Sequence, residues 1–136
     1  MAVENVDVID LESSYIRSGR PNIQSQYSDL FVGYDDNFYG GKNSNIKIAR
    51  TFIYFAMPNI GENQRVENAV LKLYKEQDLD RANKLNDINI YNSSYVDPGK
   101  VTWNTQPADN QKQFISNTKF SKPKGFKEFD ITKHVQ

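Results

Sequence analysis

The 136-residue chain has no cysteine, one histidine, one tryptophan and two methionines. Without cysteine it forms no disulfide, no cysteine-ligated zinc site and no thiol nucleophile. The single histidine, His134, stands near the end of the sequence, and no nucleophile-elbow sequence accompanies it. A Ser–His–acid triad would have to use His134, in a terminal segment that tends to fray. The sequence therefore does not favour nucleophilic hydrolysis.

The chain also lacks an excess of positive or negative charge. Lysine and arginine total 17, aspartate and glutamate total 17, and the formal net charge is zero. Such a chain has no global field that attracts nucleic acid or an anionic membrane. No run approaches the roughly 18 apolar residues of a membrane span, and the first residues lack a signal-peptide pattern. We expect neither nucleic acid nor membrane as a partner.

What the chain does have is a series of short runs rich in β-branched and aromatic residues, separated by turn signals about every 8–12 residues. No strongly amphipathic helix is visible. This pattern predicts an all-β fold, an antiparallel, jelly-roll-like β-sandwich with little helix. A chain of this length buries roughly two-thirds of its unfolded surface, so residues 1–136 are predicted to form one domain. The eight predicted strands span residues 6–11, 14–17, 28–34, 49–58, 68–76, 88–91, 114–120 and 126–131.

The sequence also predicts the structure of three segments that lie between or after the strands. Residues 35–45 are dense in residues that tolerate positive φ and predict a long loop. Residues 78–85 fit either one helical turn or a loop. The last two strands are predicted to pair across the turn between them, and Thr132 is predicted to cap a final helical turn.

The run at 49–58 is the centre of the predicted sheet, because it is long, apolar and ended by Pro58. In a strand, alternate side chains point to opposite faces. The predicted core side is Thr51, Ile53, Phe55 and Met57, and the predicted outer side is Arg50, Phe52, Tyr54 and Ala56.

The same alternation in the following runs predicts an outer surface of tyrosines interleaved with cations. Tyrosine rings suit the C–H faces of pyranose sugars, whereas arginine and lysine suit carboxylate or sulfate groups. If these strands are neighbours in one sheet, they form a single carbohydrate-binding face. The alternative is that tyrosine and lysine simply coat a solvated sheet. The predicted carbohydrate-binding residues are Arg50, Tyr54, Lys72, Tyr74 and Tyr91.

The carboxylates do not indicate an enzyme. Asp35 and Asp36 form one predicted loop pair, and Asp78 and Asp80 form another. A glycosidase needs two carboxylates on rigid elements about 5–10 Å apart, facing a cleft. The second pair also fails as a calcium loop, because Ala82 takes the third ligand position and the glycine is missing. We therefore predict no catalytic residues.

Trp103 is the only tryptophan. It predicts either a platform on which a sugar ring stacks or a large side chain that seals one end of the sandwich. The second interpretation is favoured, since tryptophan is highly buried on average.

Six segments together resemble a known family. The DNRLRE domain, which is also grouped with an alginate-binding carbohydrate-binding module family, is similar to this chain from about residue 12 to residue 136. The most specific of the segments is VTWNTQP, and FDIT is next. The segments are SYIRSGRPN at 14–22, LFVGY at 30–34, RTFIYF at 50–55, AVLKLY at 69–74, VTWNTQP at 101–107 and FDIT at 129–132.

The resemblance implies a jelly-roll module without catalytic activity, part of a larger, secreted or wall-associated bacterial protein. We therefore expect a carbohydrate-binding module for an acidic, uronic-acid-containing polysaccharide, located outside the cell or on its surface. The alternative is a structural or adhesive module of a bacterial surface, toxin or phage-fibre protein that acts through protein contact. No cofactor is predicted. Jelly-roll sugar modules often carry a structural calcium ion, and the candidate ligand here is Asp130.

Overall fold

The computed structural model describes residues 5–23, 30, 32–35, 47–75, 87–119 and 124–136. Within these ranges the chain forms short strands, one 3-10 turn and one short helix. The predicted loop at 35–45, apart from Asp35, and the segment at 78–85 lie outside the described residues. The elements are β1 (Glu12–Arg17), β2 (Gly33–Asp35), β3 (Lys47–Tyr54), β4 (Val70–Lys75), β5 (Asp87–Asn92), the 3-10 helix (Asp109–Gln111), β6 (Gln113–Lys119), β7 (Gly125–Asp130) and α1 (Thr132–Val135).

All of the strand pairs are antiparallel, and they form three hydrogen-bonded groups. One is a three-stranded sheet in the order β1-β3-β2, and the others are the ribbons β4-β7 and β5-β6. The predicted all-β, antiparallel class with little helix is confirmed. Seven strands lie within the described part of the chain, against about eight predicted.

The strand β4 follows its prediction closely. Its sequence, VLKLYK, alternates partly buried and exposed side chains along its length. Leu71 and Leu73 lie on the inner side, and Phe129 of β7 pairs with Leu71 and is 2% exposed. Lys72 and Tyr74 lie on the outer side, as predicted. The period of two therefore identifies the core face of this ribbon correctly.

The prediction for β6 and β7 is wrong in one respect. Both strands exist, but β6 pairs with β5 and β7 pairs with β4. The strands β6 and β7 are connected by a side-chain hydrogen bond, which the Ser116 hydroxyl of β6 donates to the Asp130 carbonyl oxygen of β7 at 2.8 Å. The turn signal indicated that the chain reverses, but not which strand each arm would take as its partner.

The predicted first strand is also wrong, because residues 5–11 form no strand. The apolar side chains there are exposed, with Ile9 at 86%. The central strand β3 begins at Lys47 and ends at Tyr54, earlier than predicted. Phe55 and Met57 therefore lie beyond the strand, and Met57 is exposed.

The ribbon β5-β6 contains an irregularity that changes which side chains face outward. The register shifts between Ile90 and Tyr91, so that Ile90 pairs with Ser116 but Tyr91 pairs with Phe114. Ile115 is the extra residue of this bulge, and its side chain is buried. A bulge breaks the alternation of faces. Phe114 and Tyr91 are therefore exposed together at the end of the ribbon.

The terminal helix α1 is capped differently from the prediction. The Asp130 carboxylate accepts hydrogen bonds from the Thr132 backbone N–H at 3.0 Å and from its hydroxyl at 2.7 Å. These bonds with Thr132 lower the pKa of Asp130 below its ordinary value, because they stabilise its charged form. Thr132 is thus the first helical residue rather than the cap. None of the described helices is long and apolar enough to cross a bilayer.

Candidate functional site

The segment carrying VTWNTQP is folded into a turn and anchored on the loop after β1. The backbone N–H groups of Thr105 and Gln106 both donate to the Thr102 carbonyl oxygen, at 3.2 and 3.0 Å. Asn104 donates from its backbone to the Pro21 carbonyl oxygen at 3.0 Å and from its side chain to Asn22 Oδ1 at 2.6 Å. These bonds hold the segment beside the sheet that contains β3.

Arg50 connects β3 to this segment. Its Nη1 donates hydrogen bonds to Gln106 Oε1 at 2.9 Å and to Asp109 Oδ1 at 3.0 Å. Its guanidinium carbon lies 4.9 Å from the centre of the Trp103 ring. A cation over an indole face is attracted by the ring quadrupole. Arg50 is therefore fixed by three neighbours and still has 38% of its side-chain surface exposed.

A second cation converges on the same acceptors. Lys112 Nζ donates to Gln106 Oε1 at 2.8 Å and lies 3.6 Å from Asp109 Oδ1. The same nitrogen lies 5.6 Å from the centre of the Phe52 ring. Its side chain is only 10% exposed, whereas that of Asp109 is 76% exposed. We call this group of side chains the Arg50 cluster, and its members are Arg50, Phe52, Trp103, Gln106, Asp109 and Lys112.

The charges of the Arg50 cluster do not cancel. Two cations face one carboxylate, so the cluster carries a net charge of +1. The hydrogen bond from Arg50, and then its charge and that of Lys112, lower the pKa of Asp109. Burial, and then the charge of Arg50, lower the pKa of Lys112 despite the attraction of Asp109. The surplus positive charge therefore lies where the protein partly excludes water.

The five predicted binding residues do not share one sheet. Arg50 and Tyr54 lie on β3, Lys72 and Tyr74 on β4, and Tyr91 on β5, which belong to three separate hydrogen-bonded groups. The prediction of a single exposed face of Arg, Lys and Tyr on one sheet is therefore wrong, because β3, β4 and β5 are not neighbours in a sheet. Whether each residue binds a ligand stays a prediction.

On the outer face of β4-β7, the predicted binding residues Lys72 and Tyr74 both contact Phe126, which was not predicted to bind sugar. Lys72 Nζ lies 4.8 Å from the centre of the Phe126 ring, and Tyr74 packs edge-on against the same ring at 5.0 Å. Phe126 is 69% exposed. Glu128 is directly opposite Lys72 in the register. This face is therefore aromatic, and its one cation stands with two carboxylates, Glu128 and Asp130.

The other two predicted tyrosines also belong to exposed aromatic pairs. Tyr91 packs edge-on against Phe114 at 5.8 Å, and Tyr54 packs edge-on against Tyr95 at 5.1 Å. Each of these tyrosines is more than a third exposed. The outward direction predicted for Tyr54 and Tyr91 is confirmed, but they lie on separate surfaces.

Comparison with protein-family models gives a match to carbohydrate-binding module family 96 over residues 11–136. The chain belongs to this family. Comparison with curated proteins and with solved structures gives no match. Carbohydrate-binding modules bind sugars and are not catalytic, which agrees with the expected lack of enzyme activity. The narrower DNRLRE assignment, alginate binding and the extent of the single domain stay predictions.

Sequence reasoning missed the partners of Arg50 in this family 96 module. Gln106 and Asp109 lie 56 and 59 residues away along the chain. The pattern of alternation within a strand contains no information about such distant contacts. The one usable signal was the VTWNTQP segment itself. The structure shows its Trp103 half-buried against a guanidinium, and whether a sugar ring stacks on it stays a prediction.

The structure does not test the predicted calcium ion. In the described part of the chain, no three His, Cys, Asp or Glu side chains come close enough together to hold a metal. Asp130, the candidate ligand, binds Thr132 instead. Calcium binding stays a prediction, which thermal melts with and without a chelator would test.

Proposed function

We propose that this family 96 module binds an acidic polysaccharide through the Arg50 cluster. The observation that carries the proposal is the convergence of Arg50 and Lys112 on a single carboxylate, Asp109. A site that holds one carboxylate between two cations has the donors and the charge to hold another. Uronic acids present such a carboxylate at the edge of a pyranose ring.

The exposure of Asp109 supports this proposal. Most of its side-chain surface faces solvent, whereas Lys112 is nearly covered. A ligand carboxylate that approaches from solvent would meet the guanidinium of Arg50 at the position Asp109 now occupies. Charge-assisted hydrogen bonds of this kind are roughly twice as strong as neutral ones. The surplus charge of the cluster adds a longer-range attraction.

The aromatic members of the Arg50 cluster would supply the apolar part of the contact. Trp103 and Phe52 are both partly exposed and lie within the range of a cation–π contact from Arg50 and Lys112, respectively. Pyranose rings have C–H faces that stack on aromatic surfaces. An acidic sugar would therefore find a ring surface and a cation next to each other.

The predicted residues of β4 and β5 are weaker candidates for the same ligand. On β4-β7, Glu128 opposes Lys72 in the register and Asp130 lies on the same face, so an anionic sugar would meet no surplus of positive charge. Near Tyr91 the structure places a second aromatic ring, Phe114. We include Lys72, Tyr74 and Tyr91 in the proposal as contacts that extend a long polysaccharide chain beyond the Arg50 cluster.

The resemblance described above supports the setting that we propose. The module would be one part of a larger bacterial protein that is secreted or held at the cell surface. There it would attach that protein to a uronic-acid-containing polysaccharide. Affinities in the micromolar to millimolar range are typical of a shallow site with a few charged contacts and correspond to about −8 to −4 kcal/mol.

Calorimetric titration with uronic-acid hexamers tests the proposal. We expect binding that weakens as salt rises, because exposed charges are screened within about 10 Å at 0.1 M. Arg50→Ala should weaken binding by about tenfold or more, since it removes a charged hydrogen-bond donor. The matched control is Arg65→Ala, since Arg65 is exposed and lies 4.0 Å from Glu67, outside the Arg50 cluster.

The proposal fails if the uronic-acid hexamers do not bind, or if Arg50→Ala and Arg65→Ala bind them equally well. Because Arg50 also bonds to Gln106, the circular dichroism spectrum and melting midpoint of each variant must be compared with those of the parent. The conservative variant Arg50→Lys keeps the charge and should retain part of the affinity.

A second candidate function is the structural or adhesive module, which acts through protein contact. The observation in its favour is the exposure of Phe126 and Phe114, each above half, on the outer faces of two ribbons. Phenylalanine has no polar group for water or sugar hydroxyls, and exposed aromatic residues are enriched at protein interfaces. Sedimentation that shows self-association, abolished in Phe126→Ser and unaffected by added sugar, would support this function.

A further inference from the structure

A polar cleft lies next to the Arg50 cluster but is lined by different residues. It has a volume of about 490 Å³, within the range of about 300–1,000 Å³ that is typical of ligand pockets. One side is the loop at the end of β5, with Asn92, Ser93 and Ser94. The 3-10 helix and the start of β6 form the other side, and His134 of α1 completes it. The residues of this second side are Asn110, Gln111 and Gln113.

The chemistry of the cleft is unusual for this chain. A quarter of all residues are charged, yet none of the described residues that line the cleft is an aspartate, glutamate, lysine or arginine. Its side chains are amides, hydroxyls and one imidazole, the groups that pair with neutral hydroxyls. We propose that the cleft binds a neutral, hydroxyl-rich sugar residue, at a site separate from that for the acidic sugar.

The amide side chains are already oriented by the protein. Asn92 Oδ1 accepts a hydrogen bond from the Gln113 backbone N–H at 3.1 Å, and Gln111 Oε1 accepts one from the Ala108 N–H at 3.3 Å. Each amide carries two further donors on its nitrogen. With its oxygen held by the backbone, each of these amides offers donors in a fixed direction. Fixed donors lower the entropic cost of binding a ligand.

A hydroxyl and a ring add the complementary groups. The Ser93 hydroxyl donates to the Ser94 carbonyl oxygen at 3.0 Å, and its oxygen still has acceptor capacity. The His134 ring contacts Phe55 edge-on at 6.1 Å between ring centres, and this contact restricts the orientation of the imidazole. Donors, acceptors and a ring face within one cleft are what a pyranose with several hydroxyls requires.

The 3-10 helix places the two sites on either side of a single turn. Asp109 belongs to the Arg50 cluster, whereas the next two residues, Asn110 and Gln111, line the cleft. A polysaccharide in which neutral sugars alternate with acidic ones therefore fits both sites at once. No side chain serves in both sites, so binding at each can be tested by its own variants.

Titration with neutral hexasaccharides, monitored by amide chemical-shift changes, tests the proposal. The probes are maltohexaose, cellohexaose, mannohexaose and the hexamer of N-acetylglucosamine. We expect at least one to bind with a millimolar dissociation constant. The shifts should centre on residues 92–94 and 110–113 and be unchanged by salt, because no charge takes part.

The double variant Asn110→Ala, Gln113→Ala should weaken that binding by about tenfold, since two hydrogen-bonding side chains are lost. Its matched control is Asn59→Ala, since Asn59 is an exposed amide far from the cleft in sequence. Uronic-acid binding should persist in the double variant, which separates failure here from failure of the proposed function. The proposal is overturned if none of the four neutral probes binds at about 10 mM, or if the double variant binds as well as Asn59→Ala.

Discussion

The faces of β3 and β4 that carry Arg50 and Lys72 have the same alternation in sequence but different surroundings. Beside β3, Ser14 and Ile16 of β1 share the face of Arg50 and are both 0% exposed. The opposite face of that sheet holds Tyr15 and Ala49, at 4% exposed each. The middle of each face of β1-β3 is therefore covered, although Tyr54 at one end of the face of Arg50 stays 39% exposed. On β4, by contrast, the face with Lys72 is open to solvent. Alternation identifies the residues that share a face but not what covers it.

That difference determines how the cations are held. On the covered face, Arg50 is bound by an amide, a carboxylate and an indole ring, so its position is fixed before any ligand arrives. On the open face, Lys72 rests on a single phenylalanine ring. A pre-organised cation loses less conformational entropy on binding than a mobile one. We therefore expect the covered face to be the better binding site.

The largest effect expected from this comparison is on stability. Trp103→Ala should lower the free energy of unfolding by about 2–4 kcal/mol, because it removes a large side chain that packs against Arg50. Tyr74→Ala on the open face removes one edge-on aromatic contact and should cost about 1 kcal/mol. Urea denaturation of both variants measures the two values. Equal losses would mean that the covered face contributes no more to stability than the open one.

A smaller effect is expected from neutralising the carboxylate of the Arg50 cluster. Asp109→Asn should raise the affinity for uronic-acid hexamers by about threefold, since it removes an internal competitor for Arg50 and Lys112. Glu128→Gln, its matched control on the open face, should leave that affinity unchanged. Calorimetry compares the two. A loss of affinity in Asp109→Asn would show that Asp109 positions the ligand instead of competing with it.

The stability difference between Asp109→Asn and the parent protein should depend on pH. Because the pKa of Asp109 is lowered in the folded state, its ion pair stabilises the protein above the ordinary value of 3.8. That contribution is lost as the pH falls through the lowered folded value. The melting midpoint of Asp109→Asn should therefore lie below that of the parent at pH 7 and approach it below about pH 3.8. A constant difference down to pH 2 would contradict this explanation.

The smallest expected effect separates binding from stability. Lys112→Met should leave the melting midpoint unchanged or slightly higher, because burial lowers the pKa of this ammonium group and its charged form is held at a cost. It should nevertheless weaken binding of uronic-acid hexamers by about threefold, as one cation of the cluster is lost. Lys72→Met provides the open-face comparison: it should change the melting midpoint little and weaken binding of the hexamers less than Lys112→Met does. A marked loss of stability in Lys112→Met would show that its ion pair outweighs the cost of burial.

Local pattern predicted most of the strands and the side-chain directions within them. The runs at 14–17, 68–76 and 88–91 became β1, β4 and β5, and the alternation of Leu71 and Leu73 with Lys72 was confirmed. These features depend on propensity and on a period of two, which neighbouring residues determine. The family resemblance supplied the carbohydrate-binding class, which the family match confirmed.

Contacts between residues far apart in the chain could not be predicted from the sequence pattern. The hairpin signal before β7 gave no information about partners, and β7 pairs with β4, more than 50 residues earlier. Nothing near Arg50 indicated that residues 101–112 would cover it. The residues at 6–11 have strand-like composition, but composition alone does not supply a partner, and they remain exposed.

The 3-10 helix Asp109–Gln111 has a thermodynamic consequence for a mixed polymer. A uronate that takes the place of Asp109 frees that residue, and the two that follow it form one side of the neighbouring cleft. The two occupancies are then linked, and linkage is reciprocal: each ligand alters the affinity for the other by the same factor. One polymer chain that carries both sugars also holds the second sugar beside the neighbouring site, so the module would bind such a heteropolymer more tightly than a mixture of its separate sugars.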